Sequence, residues 1–259
     1  MAFETIRLEI SPAAVATLTL NRPDTLNALN GALIEEARAA LASLAESGAR
    51  CLLLAGEGRA FSSGADLATG GGLPEDVGAA LESHLNPLIE DVFALPMPVV
   101  AAVRAPCAGA GCSLALAADI VIAARSAYFL QAFINLGLVP DAGATWLLPR
   151  LAGRARAMEM MMLGERIPAE QAAAWGMISR MVEDEELESE AVALAGRLAQ
   201  GPTVAYALLR KLARDAEQAP LADALAAERR AQTIAGRTED FKAGVMAFLQ
   251  KRQASFDGK

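Results

Sequence analysis

One carboxylate and two glycine turns carry the chemistry available to this sequence. The carboxylate is Asp141, in Gly137-Leu138-Val139-Pro140-Asp141-Ala142-Gly143, a turn of apolar and glycine residues ahead of a helix. The first glycine turn is Ala108-Gly109-Ala110-Gly111, which leads from an apolar run at 98–103 into an alanine- and leucine-rich segment. The second is Ser63-Gly64-Ala65-Asp66, which also follows an apolar strand. A helix N-terminus presents unpaired N–H groups and the positive end of its dipole, so it favours negative charge. Two such turns can converge two backbone N–H groups on one oxygen, forming an oxyanion hole without a polar side chain. With one acid in an apolar setting, this points to carbanion or enolate chemistry. The neighbours Leu138, Val139, Ala142 and Phe133 would disfavour an ionised Asp141 and make it a better base. The same aspartate also suits a helix N-cap before Ala-Gly-Ala-Thr-Trp, and on local grounds that reading stands beside the first.

Other chemistries find less support. Gly109-Ala110-Gly111 lacks the third glycine of a dinucleotide fingerprint, and no Gly-Lys-Ser/Thr exists for a phosphate loop. Ser113 with His84 and Asp141 or Asp119 could be drawn as a triad, but Ser113 is not in Gly-x-Ser-x-Gly. His84, the only histidine, reads as a surface or half-buried helix residue. Asp119 reads as a hydrogen-bond acceptor at a strand start. Cys51, Cys107 and Cys112 lack metal-like spacing, and an odd number of apolar-set thiols fits a reducing cytoplasm.

The elements that must position these residues follow from periodicity. Alternation over 3–10 and 14–20, broken at Ser11-Pro12, predicts a hairpin. Asn30 can cap a helix over 31–47 with Leu33, Ala37, Ala40, Leu41 and Leu44 on one face. A buried strand follows at 50–55, then a long glycine- and serine-rich loop at 56–72. Residues 74–95 read as helix, kinked or restarted at Pro87. Short strands follow Pro98. Beyond Pro149, helices are expected at 153–163, 168–175, 185–200, 202–216, 220–235 and 238–251, several opened by proline. Only 177–182 could be another strand. The expected order is a β/α core followed by helices.

Net charge is −8, with no basic cluster longer than Arg229-Arg230 or Lys251-Arg252, which disfavours nucleic acid as a partner. No run approaches the roughly 20 apolar residues of a membrane-crossing helix. The first residues lack the apolar region of a signal peptide.

Four stretches carry a resemblance. They are Leu20-Asn21-Arg22-Pro23 with Leu26-Asn27-Ala28-Leu29; Phe61-Ser62-Ser63-Gly64-Ala65-Asp66-Leu67; Gly109-Ala110-Gly111-Cys112 with Leu114-Ala115-Leu116-Ala117-Ala118-Asp119; and the 137–143 turn. In this order they resemble the enoyl-CoA hydratase/isomerase (crotonase) superfamily over essentially the full chain. The resemblance implies an α/β crotonase-like fold: a spiral of ββα units (1–200) with a C-terminal helical region (201–259) that drives assembly into a homotrimer or hexamer. It implies an acyl-CoA thioester substrate, with coenzyme A as part of the substrate and no separate cofactor or metal. The thioester oxygen would bind the N–H groups of Ala65 and Ala110. The second place is usually glycine in relatives, so the backbone at Ala110 must suit a Cβ. Coenzyme A contacts would fall to Arg22, Leu26, Ala28, Gly64, Asp66, Leu67 and Lys251, with 68–74 as a pocket-lining loop. Many relatives have lysine where Leu26 stands.

The two glutamates that activate water in hydratases fall at Ser113 and Phe133, so hydration is expected to be poor. Asp141 remains, and the run on to Arg150 resembles a subgroup that isomerises ring-epoxide acyl-CoA thioesters to oxepins in phenylacetate degradation. Asp141 is then the implied base. The alternatives are general enoyl-CoA hydration or isomerisation in fatty-acid β-oxidation, and a silent acyl-CoA-binding homologue.

Overall fold

A computed structural model of the chain describes residues 3–67 and 76–259. The expected pocket-lining loop at 68–74 lies outside the described residues.

The chain opens with the hairpin that the alternation predicts: β1 (Ile6–Ile10) lies antiparallel to β2 (Val15–Leu20), with Ile6 opposite Leu20. The Asn30 side chain accepts a hydrogen bond from Leu33 N at 2.9 Å and starts α1 (Gly31–Ser43). Leu33, Ala37, Ala40 and Leu41 are buried as expected; α1 tightens into a 3₁₀ turn at Leu44–Glu46, which buries Leu44. β3 (Cys51–Gly56) runs parallel to β2.

Asp76 caps α2 (Val77–Ala80), a π-helical turn (Leu81–Leu85) follows, and α3 (Asn86–Ala94) restarts with Pro87 in its first turn. Proline is tolerated there because a first-turn N–H has no intrahelical acceptor. Next come β4 (Val99–Val103), β5 (Cys107–Ala108), α4 (Gly109–Leu116), β6 (Ile120–Ala124) and β7 (Tyr128–Leu130).

The main sheet has six strands in the order β1-β2-β3-β4-β6-β9, where β9 is Arg180–Val182; all its pairs after the hairpin are parallel. Its central strand β4 is buried throughout, as a strand covered on both faces must be. The second sheet, β5-β7-β8, includes β8 (Arg166–Pro168), which the sequence reading did not anticipate. Only Ile167 of its three residues is buried, too short a run for alternation to show.

The helices after Asp141 are α5 (Ala144–Ala152), α6 (Arg154–Leu163), α7 (Ala169–Ala174), α8 (Leu187–Ala199), α9 (Thr203–Ala216), α10 (Leu221–Ala235) and α11 (Glu239–Leu249). Asp119 accepts from Val99 N at 2.7 Å, as its structural reading requires, and from Arg210 Nε at 2.8 Å. Buried Arg210 also donates to the carbonyls of Leu95 and Val92, which fixes α9 to the core. Removing Asp119, a third exposed, would leave the buried Arg210 charge without its carboxylate and destabilise the fold. The last helices nevertheless leave Leu221, Phe248 and Leu249 69–82% exposed. Among the described residues no helix is long and apolar enough to cross a membrane.

Candidate active site

The first half of the site is built from backbone. Asn27 is fully buried with φ near 55°, a conformation asparagine tolerates. Its Oδ1 accepts from Arg22 N at 2.9 Å, and its Nδ2 donates to Glu57 O at 3.0 Å and Ala60 O at 2.8 Å. Ser62 Oγ donates to Asn27 O at 2.8 Å. The 22–29 and 62–66 segments are thereby held together.

On one side of the 62–66 segment, Leu29 N donates to Gly64 O at 2.8 Å and Asp66 N donates to Leu29 O at 2.9 Å. In such a parallel bridge the N–H of Ala65 turns away from Leu29. The other side carries the Cys107 segment: Ser62 N donates to Pro106 O at 3.2 Å and Ala108 N to Ser62 O at 2.9 Å. Gly64 has φ near +96°, and a Cβ there would sit 3.0 Å from Ala108 O. Gly111 is tighter: a Cβ would stand 2.5 Å from Ser62 Cβ and Oγ.

Ala110 is the second residue of α4, where an N–H lacks an intrahelical acceptor. Neither its N–H nor that of Ala65 makes a backbone hydrogen bond among the described residues. Ala110 is not left-handed, so its Cβ is accommodated.

Arg22 Nη1 donates to Asp66 Oδ2 at 2.8 Å and to Ala28 O, with the Arg22 side chain 15% exposed. The pair joins the two segments. Arg22, Ala28, Gly64, Ala65 and Asp66 are thus brought together. Leu26 is half-buried at a left-handed turn, and Leu67 is exposed beyond it. Lys251 is exposed just after α11.

The second half carries the acid. Asp141 does not cap α5: the N-cap is Gly143, with no side-chain cap bond. What Asp141 offers the helix is its carbonyl, which accepts from Ala144 N at 3.0 Å and from Ser113 Oγ at 3.2 Å. Its Oδ1 is buried and has no hydrogen-bond partner. Burial pushes its carboxyl up to about 6, and no neighbouring charge contributes. The burial does not come from all the residues expected. Leu138 and Val139 are exposed, and Phe133 and Ala142 are the buried neighbours in sequence. The Phe133 ring lies 3.7 Å from where a Gly109 Cβ would be.

The drawn triad does not form. Ser113 Oγ is engaged with the Asp141 carbonyl, and His84 Nδ1 lies 2.6 Å from Ser83 Oγ on an exposed helix. The three cysteines are buried and unpaired; burial pushes Cys51 up to about 12 and Cys107 well above its usual range. Sequence reasoning missed two organisers, Asn27 and Ser62, and it missed Gln131. A polar pair beside glycine turns was the available signal for the first two. Gln131 follows β7, is fully buried, and has both amide atoms without a partner.

This fold and site define a class. Residues 11–259 match the enoyl-CoA hydratase/isomerase family, and the chain belongs to that family of enzymes, with its crotonase fold. It is similar to a protein of Escherichia coli (strain K12) named 1,2-epoxyphenylacetyl-CoA isomerase, 47% identical over 250 residues and 95% of each chain. It is also similar to a protein of Rhodobacter capsulatus named "Probable enoyl-CoA hydratase", 46% identical over 259 residues and all of both chains. Among solved structures, an enoyl-CoA hydratase from Bacillus anthracis superposes with a TM-score of 0.94 at 32% identity, over 99% of this chain and 100% of that one.

Proposed function

We propose that the chain is an acyl-CoA isomerase in which Asp141 is the sole general base. The observation that carries this reading is the half-buried Asp141 carboxyl, whose Oδ1 is buried without a partner and whose backbone packs on the helix that presents Ala110 N–H. Ser113 and Phe133 supply no second acid.

For an enoyl thioester the step balances with one base. Asp141 takes the proton from the carbon next to the thioester, and the electron pair moves to the thioester oxygen as an enolate. That oxygen is held by the Ala65 and Ala110 N–H groups. The enolate then collapses, the double bond shifts, and Asp141 returns the proton two carbons away. One oxyanion donor is typically worth about 10²–10³ in rate. The 47%-identical isomerase supports a ring-epoxide acyl-CoA of phenylacetate degradation as the substrate class. Leu26, Ala28, Gly64, Leu67 and Lys251 would contact coenzyme A, with the Arg22–Asp66 pair shaping that contact.

Asp141→Asn assayed on a 3-enoyl-CoA, by deuterium exchange next to the thioester, tests the base. The expected loss is about 10²–10⁴-fold; undiminished exchange in the folded variant overturns the reading. Product identification by NMR on the same panel separates isomerisation from hydration, the second reading that the Rhodobacter relative's name favours.

The exposed apolar residues of 201–259 support assembly as a homotrimer or hexamer, with 1–200 as the core. A stable monomer in sedimentation at micromolar concentration would exclude this. Three unpaired buried thiols support a reducing, cytoplasmic setting.

A further inference from the structure

Among the described residues only three buried side-chain polar atoms have no hydrogen-bond partner: Gln131 Nε2, Gln131 Oε1 and Asp141 Oδ1. Such atoms are rare in folded proteins and destabilising when left unpaired. They are complementary. Gln131 Nε2 is the one buried side-chain donor without an acceptor, and Asp141 Oδ1 is the one buried carboxylate oxygen without a donor.

Both residues border the same helix. Leu130 pairs with Ala108, the residue that precedes α4, so Gln131 follows at the level of the Gly109 turn. Two residues on, the Phe133 ring packs over Gly109. Asp141 is joined to α4 through Ser113. Gly109 and Ser113 are four residues apart and share one face of the helix, so the two segments that carry the orphaned groups meet that helix within a turn of each other.

Resting on the reading of Asp141 as base, we propose that Gln131 is a positioning residue for it. Its carboxamide supplies the hydrogen bond that Asp141 Oδ1 lacks once the carboxylate is ionised, after a side-chain rotation or across one bridging water.

No nearby charge competes for that role. The ionisable side chains on the surrounding elements are Cys112 on α4, Tyr128 on β7, Arg166 on β8, Glu82 and His84 in the π-helical turn, Glu90 and Asp91 on α3, Arg150 on α5, Arg154, Arg156 and Glu159 on α6, and Tyr206, Arg210, Lys211, Arg214 and Asp215 on α9. The Arg22–Asp66 pair lies on the facing turn. Arg150 is paired with Glu217, Arg214 donates to Phe93 O, and Asp91 is paired with Arg38. Burial alone raises Asp141. A neutral donor is what can lower the ionised form's energy without abolishing its basicity.

The experiment titrates the Asp141 carboxyl by ¹³C NMR, assigned by its loss in Asp141→Asn, in the full-length protein and in Gln131→Leu and Gln131→Asn. Deuterium exchange is followed across pH in parallel. Gln131→Leu is expected to raise the Asp141 midpoint by about one pH unit and to cut exchange about tenfold on the acid side, with KM little changed. Gln131→Asn, which keeps a carboxamide, is expected to recover part of both. An unmoved Asp141 midpoint in folded Gln131→Leu overturns the proposal. If that variant does not fold, Gln131→Glu decides: a second carboxyl beside Asp141 must raise its midpoint, and an unmoved midpoint is again fatal. The NMR titration needs no turnover. If Asp141→Asn retains full exchange while Gln131→Leu still moves the carboxyl, the base reading fails and the coupling stands.

Discussion

The two halves of this site are built on opposite terms. In the half around Ala65, every buried polar side chain is satisfied: Asn27 makes three side-chain hydrogen bonds, Ser62 makes two, and Arg22 is paired with Asp66. In the half around Asp141, three buried polar atoms are not. On the proposed reading the first half has only to hold two N–H groups still, which a closed hydrogen-bond network does. On the same reading the second half has to change its protonation, and a carboxylate saturated with donors would be a poor base. Unpaired buried groups are destabilising, and among the described residues those side-chain groups fall only on Gln131 and Asp141.

Breaking each half should therefore look different. The largest effect is expected from Asp141→Asn, the 10²–10⁴-fold loss of exchange given above, with the fold intact. Next is Gly111→Ala on the other half. A Cβ at 2.5 Å from Ser62 must push α4 away from the 62–66 turn. Misplacement by about 1 Å can cost up to about 10²-fold in rate, and overpacking about 1–3 kcal/mol in stability. Steady-state exchange and urea titration of the same preparation check both numbers. An active, equally stable Gly111→Ala would show that the turn is looser than the geometry requires.

pH sharpens the contrast. The base must be ionised, so wild-type exchange is expected to rise about tenfold per pH unit up to about 6 and then level. Gly111→Ala should lower the plateau and leave that limb in place, because it does not touch the carboxyl. A limb that moves with Gly111→Ala would mean that the halves are one unit.

The smallest effect has a diagnostic sign. Folding raises the Asp141 carboxyl above its unfolded value of about 3.9, so folding favours the neutral form. That contribution is full below about pH 4 and is lost as pH rises through about 6. Asp141→Asn keeps a neutral group of the same shape. Allowing for partial exposure, it should gain roughly 1 kcal/mol over wild type at pH 7.5 and nothing at pH 4. A helix cap would give no gain at pH 7.5, so thermal unfolding at the two pH values distinguishes the readings.

By itself the sequence determined the elements whose signals are local. The Ser11-Pro12 break fixed the hairpin, Asn30 fixed the start of α1, and Pro87 fixed the restart of α3, because capping and proline act within a few residues. Four ordered motifs also carried the family. Only the tertiary structure decided what the polar side chains do. Arg22 reads as a lone cation until Asp66, distant in sequence, pairs with its Nη1. Asp141 suits a helix cap on local grounds until Gly143 takes the cap and its Oδ1 is buried without a partner. Gln131 carries no local signal, since a glutamine after a short strand is exposed in most settings. Hydrogen-bond partners and burial arise from segments that meet only on folding, and residue spacing along the chain does not record them.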